Sequence, residues 1–135
     1  MQLTNRDPGL KRFFICGSAL QGQPDHKNLQ SAKFIKEAYT RARYRIHDVG
    51  NGRHPGIYEI ESGGIAIPGE VYALTPQQNK NLMAGEPPDL YEGRVILEDG
   101  EVISAMLYPR ELVEKHNWPD ISHFGGWAAY KQSGN

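Results

Sequence analysis

Cysteine is almost absent: Cys16 is the only one in 135 residues, so no internal disulfide can form and the expected compartment is the reducing cytoplasm. The chain also has no apolar run long enough to cross a bilayer, so neither a transmembrane helix nor a membrane partner is expected. Charge of either sign is not in excess. Lysine and arginine together number 15 and aspartate and glutamate 16, and the basic residues are scattered among acidic ones. A surface that neutralises phosphates is therefore lacking, which excludes nucleic acid as a partner. The opening Met-Gln-Leu-Thr-Asn-Arg-Asp-Pro has no apolar segment behind a basic one and does not read as a secretory signal; residues 1–10 are expected to form a short flexible tail. His-Glu-x-x-His, Cys-x-x-Cys, the phosphate-binding Gly-Lys-Ser/Thr and the dinucleotide Gly-x-Gly-x-x-Gly are all missing. The histidines, His26, His47, His54, His116 and His123, lack the helical spacing of zinc ligands, so neither a metal nor a cofactor is expected.

What remains is the composition of one globular domain spanning 1–135, with 39% hydrophobic and 23% charged residues. Such a length buries roughly two-thirds of the unfolded surface around a single core. Phe13, Phe14, Ile15 and Cys16 form a run with strong β-propensity, expected as a strand covered on both faces. It ends abruptly in Gly17, Ser18, Ala19 and Leu20. Small side chains leave consecutive backbone N–H groups open to a ligand oxygen, as an oxyanion hole or carboxylate cradle requires; an ordinary strand-to-turn exit has the same composition. Cys16 lies within this apolar run, where a buried structural thiol is expected rather than a nucleophile.

Further along, Asp25 is placed to cap a short helix from about residue 26 to 32, and residues 33–49 read as two strands or one kinked strand. Arg53 and His54 sit in a Gly/Pro-punctuated loop, exposed to ligand or simply to solvent. Gly63-Gly64 predicts a tight hairpin between residues 57–60 and 65–74, and Pro68-Gly69 predicts a bulge or bend in its second strand. Thr75, Pro76 and Gln78 form a capping-box start and Gly85 a stop, which predicts a helix over 76–84. Residues 90–97 and 102–108 flank Glu98-Asp99-Gly100 as a second hairpin, and Pro109 opens another short helix to about His116. Trp118, Phe124, Trp127 and Tyr130 are expected to pack the tail onto the sheet. The strands arrive as hairpins with helices inserted between them, so the fold class is α+β: a small, mixed, mostly antiparallel β-barrel with short flanking helices.

Glu86 stands apart among the carboxylates. It follows the glycine that ends a helix and precedes Pro87-Pro88, so its backbone is stiff. The negative helix end and partial burial both disfavour its charge and raise its pKa, as a general base near neutral pH requires; a solvated loop glutamate is the alternative.

Phe13 to Leu20, with Gly22-Gln23-Pro24 and His26, resembles the strand-and-loop signature of the γ-glutamylcyclotransferase-like proteins. Pro55-Gly56, Pro68-Gly69-Glu70-Val71-Tyr72, Glu86 and Tyr91 follow in the order of that family over nearly the whole chain, although Cys16 stands where the family usually has tyrosine. The resemblance implies a small β-barrel and an enzyme that cyclises a γ-glutamyl compound to 5-oxoproline with release of an amine. Glu86 would be the catalytic base, and Gly17, Ser18, Ala19, Leu20 and Tyr91 would bind substrate, with no metal or cofactor. Gly17 to Tyr44, Arg43-Tyr44-Arg45, Glu92-Gly93-Arg94-Val95 and Leu97-Glu98-Asp99-Gly100 look even more like the C-terminal domain of allophanate hydrolases, a branch of the same fold. That branch implies a protein acting on or binding a small urea-derived carboxylate, and no glutamate is expected there at position 86. A non-catalytic binding or assembly module is the third reading. An apolar barrel edge could pair with a second copy, so a homodimer is possible.

Overall fold

The computed structural model describes residues 9–29 and 31–134, so the first eight residues of the expected tail lie outside the described ones. Strand β1 (Lys11–Ile15) is central to a five-stranded sheet. It pairs antiparallel with β5 (Pro68–Leu74) and parallel with β7 (Val102–Leu107). Outside these lie β2 (Lys33–Tyr39) and β6 (Tyr91–Ile96), giving the order β2-β5-β1-β7-β6. Phe13, Phe14 and Ile15 are all buried, so successive side chains on both faces of β1 are covered, as the unbroken apolar run predicted. Strands β3 (Tyr44–Asp48) and β4 (Pro55–Glu59) form a separate two-stranded sheet. The architecture is α+β with mainly antiparallel pairing. At one end the two edges of the larger sheet meet, because Thr40 and Leu97 bridge just beyond β2 and β6. Arg41 N–H donates to the Ile96 carbonyl at 2.8 Å and Glu98 N–H to the Tyr39 carbonyl at 2.9 Å.

Helix α1 (Pro76–Ala84) has the bounds its sequence signals predict. Gln78 N–H donates to Thr75 Oγ1 at 3.1 Å and Thr75 N–H donates to Gln78 Oε1 at 2.9 Å, the reciprocal bonds of a capping box. The β6–β7 hairpin forms with Tyr91 opposite Leu107 and Ile96 opposite Val102. Helices α2 (Arg110–His116) and α3 (Trp127–Gln132) follow, and the buried Trp127 and Tyr130 attach the C-terminal segment to the core.

Three local expectations change. The short helix is a 3₁₀ turn over Pro24–Leu29, with Asp25 inside its first turn rather than capping it. Gly63-Gly64 does not close a hairpin between β4 and β5: β4 pairs with β3, and residues 60–67 cross from one sheet to the other. Gly64 is needed there for close approach, since a Cβ would lie 2.5 Å from the Arg43 carbonyl carbon. The register shift expected at Pro68-Gly69 occurs instead in β2, between Phe34 and Lys36.

Pro68 begins β5 and Gly69 lets the strand press against β1. A Cβ at Gly69 would fall 2.3 Å from the Ile15 carbonyl oxygen and 2.5 Å from the Phe14 ring. Gly69→Ala is therefore expected to destabilise the fold by about 2 kcal/mol through overpacking, read as a lower denaturation midpoint at unchanged m-value.

Candidate functional site

Beyond Ile15 the chain leaves the sheet, and Phe14 and Ile15 at the end of β1, with Cys16 one residue past it, start the wall of a narrow cavity. Gly17, Ser18 and Ala19 continue that wall, and Glu86, just past α1, completes it together with Pro55 and Ile57 of β4, Leu90 and Met106. The cavity holds about 40 Å³, roughly three times the space one water needs, and Glu86 and the loop backbone are the polar part of a largely apolar lining. Gly17 admits the β4 wall: a Cβ there would lie 2.5 Å from the Pro55 ring.

Among the described residues, no protein acceptor takes the N–H of Gly17, Ser18 or Ala19. Leu20 differs. Its N–H donates to the Gly17 carbonyl at 3.0 Å, closing the turn, and its side chain lines a different groove alongside Glu70 and Trp127. Of the four amides expected to be open, those of Gly17, Ser18 and Ala19 are unpaired and that of Leu20 is taken. Loop geometry is held by Asp25 N–H donating to the Ser18 carbonyl at 2.9 Å and by His26 Nδ1, 2.9 Å from the Ala19 carbonyl oxygen.

Glu86 is half-buried, and its carboxyl pKa is pushed up to about 7, mainly by burial and further by the negative charge of Asp25. No hydrogen bond from the described residues offsets that loss of hydration. The Cys16 thiol is driven up to about 12 by burial and by Glu86, which leaves it protonated at neutral pH and a poor nucleophile. The chemistry available is proton transfer by Glu86 beside three free amide donors.

Tyr91 is not part of this arrangement. It is 47% exposed at the start of β6, and its neighbour Leu90 lines the cavity instead. Arg53 and His54 do not line it either; His54 packs against Gly50, and burial lowers its pKa. Sequence reasoning missed Ile57, Leu90 and Met106 as cavity walls and Asp25 as a neighbour of Glu86. None carries a local signal, since tertiary pairing alone brings them here.

A family-level comparison matches residues 11–132 to the allophanate hydrolase C-terminal domain. The chain belongs to this family. Comparison with curated proteins gives no match. Among solved structures, this allophanate hydrolase C-terminal domain is similar to a uropathogenic E. coli-specific protein, with 27% identity, a TM-score of 0.83, and coverage of 91% of this chain and 96% of that one. It is also similar to Kluyveromyces lactis allophanate hydrolase, with 26% identity and a TM-score of 0.84, covering 93% of this chain but 22% of the yeast enzyme. An AIG2-like protein from Mus musculus shares the fold at 22% identity and a TM-score of 0.57, covering 73% of this chain and 76% of that one. The domain thus has the γ-glutamylcyclotransferase-like fold.

Proposed function

We propose that this domain cyclises a small γ-glutamyl compound to 5-oxoproline, with Glu86 as general base and the Gly17, Ser18 and Ala19 amides as the cradle. The observation that carries the reading is a carboxylate with a pKa near 7 lining the same narrow cavity as three unpartnered amides. Glu86 takes a proton from the substrate ammonium, and the freed amine attacks the γ-carbonyl carbon. The amides stabilise the oxyanion that develops. The attacking nitrogen, cationic after addition, gives up its second proton as the C–N bond breaks, and with the proton returned by Glu86 the leaving amine departs as an ammonium ion and leaves the neutral lactam. No protein nucleophile is needed, because the substrate attacks itself and the site supplies orientation and charge stabilisation.

A base must be deprotonated to act, so kcat/KM is expected to rise with pH through about 7 and to level off above it. A pH–rate profile flat between 6 and 8, at about constant KM, would remove Glu86 from that role.

The family match and the likeness to Kluyveromyces lactis allophanate hydrolase favour a second reading, in which the domain acts on or binds a small urea-derived carboxylate. The same amides would then hold its carboxylate. Incubating the purified protein with a panel of γ-glutamyl compounds and with allophanate, and measuring 5-oxoproline and ammonia, separates the two. Turnover of allophanate alone sinks the cyclisation reading, and turnover of neither leaves a binding module.

A further inference from the structure

The segment from Gly17 to Gln21 is anchored in the core through the buried Ala19 and Leu20. Several of its hydrogen bonds are local: Leu20 to Gly17, Gln23 to Leu20 and Asp25 to Ser18, all between backbone groups. Two side chains add ties on either side of Leu20. His26, from the 3₁₀ turn, places Nδ1 at 2.9 Å from the Ala19 carbonyl oxygen. Glu70, from β5, accepts the Gln21 N–H on Oε1 at 3.2 Å. We propose that His26 and Glu70 are positioning residues that together hold the 17–21 loop in the conformation that leaves the Gly17, Ser18 and Ala19 amides unpaired at the cavity. The proposal rests on the reading of those amides as the cradle.

Both groups are themselves braced. Glu70 lies opposite Ile15 in the β1–β5 register, at the base of the loop. Its Oε1 also accepts the Tyr72 hydroxyl at 2.9 Å. Burial and Glu70 push the Tyr72 pKa up to about 12, so that donor persists through the neutral range. The Tyr72 ring lies 6.1 Å from the His26 ring and meets Phe34 edge-on at 5.6 Å. Residues 70 and 72, two apart on one strand, share a face. Gly69-Glu70-Val71-Tyr72 thereby acquires a physical meaning: Gly69 admits β1, Val71 fills the core, and Glu70 and Tyr72 support the loop. Turning the Ala19 carbonyl toward the cavity would swing the Leu20 N–H of the same planar peptide away from the Gly17 carbonyl and present a lone pair to any bound anion; the His26 tie adds to the Leu20 bond in opposing that turn.

Hydrogen exchange and ¹⁵N relaxation of residues 17–21, with a sodium acetate titration followed at the same amides, test this. His26→Ala and Glu70→Ala are expected to speed exchange and weaken acetate binding by about tenfold, the effect of one lost hydrogen bond. His26→Asn keeps a donor near the Nδ1 position and Glu70→Gln keeps the acceptor, so both should stay within about twofold of the wild type. His26→Gln carries its amide nitrogen near the Nε2 position and should behave as the alanine variant does. If His26→Ala does not fold, the Asn and Gln variants supply the same contrast. Wild-type loop dynamics in both alanine variants, or a His26→Asn loop as loose as His26→Gln, overturns the clamp. Loops loosened as expected with no response of residues 17–19 to acetate in the wild type leave the clamp standing and refute the cradle.

Discussion

Under the proposed cyclisation, Glu86→Gln is expected to lower turnover of a γ-glutamyl compound by about 100- to 10,000-fold, the usual contribution of a positioned general base. The amide keeps the shape of the side chain and cannot take the proton, so the loss should fall on kcat with KM little changed. The same variant has an opposite effect on stability. Glu86 titrates near 7 in the folded domain and near its ordinary 4.5 in the unfolded chain, so between those values the folded state holds a proton that the unfolded state has released. The stability linked to that proton is fully present below about 4.5 and is lost as pH rises through 7. Above pH 7 the ionised carboxylate costs stability, of the order of 2 kcal/mol at about 1.4 kcal/mol per unit of pKa difference with partial exposure allowed for. Glu86→Gln should therefore be more stable than the wild type at pH 8 and equal to it at pH 4. Chemical denaturation at both values measures the difference. A variant that is catalytically dead and equally stable at both would mean that the carboxylate is not desolvated.

Phe14→Ala should be the most damaging of the single core truncations that touch the site. Phe14 is 1% exposed on the central strand, touches the position above Gly69 and also lines the cavity. Its loss removes transfer free energy and leaves a void that rigid neighbours on β5 and β7 cannot fill, about 3–5 kcal/mol in all. For a domain of this size that lowers Tm by roughly 10–20 °C. Phe14→Leu retains most of the volume and should cost about 1–2 kcal/mol. Because the strand leads directly into the Gly17 loop, KM should rise in Phe14→Ala even where the protein is still folded. An unchanged KM in that folded state would separate the core from the site.

The amino-acid sequence by itself determined the elements whose causes are local. The Thr75 to Gly85 helix is written in its capping box and its terminal glycine; the β6–β7 hairpin follows from a turn between two apolar runs, and the burial of β1 from an unbroken hydrophobic stretch. Glu86 and the Gly17 to Ala19 amides were legible for the same reason, since a stiff backbone after a helix and small residues after a strand are both local patterns. Only the tertiary structure decided which strands pair. Gly63-Gly64 carries a turn signal that says nothing about partners, and the crossing it permits assigns β4 to β3 and β5 to β1 and β2. That pairing brings Pro55, Ile57 and Met106 against the loop to form the cavity and leaves Tyr91 outside it. Which of the loop amides stay unpaired has the same origin, for whether the Leu20 amide is free depends on how the turn closes. Local propensity acts over a few bonds, whereas a cavity is made of residues distant along the chain, whose meeting depends on packing of the whole domain.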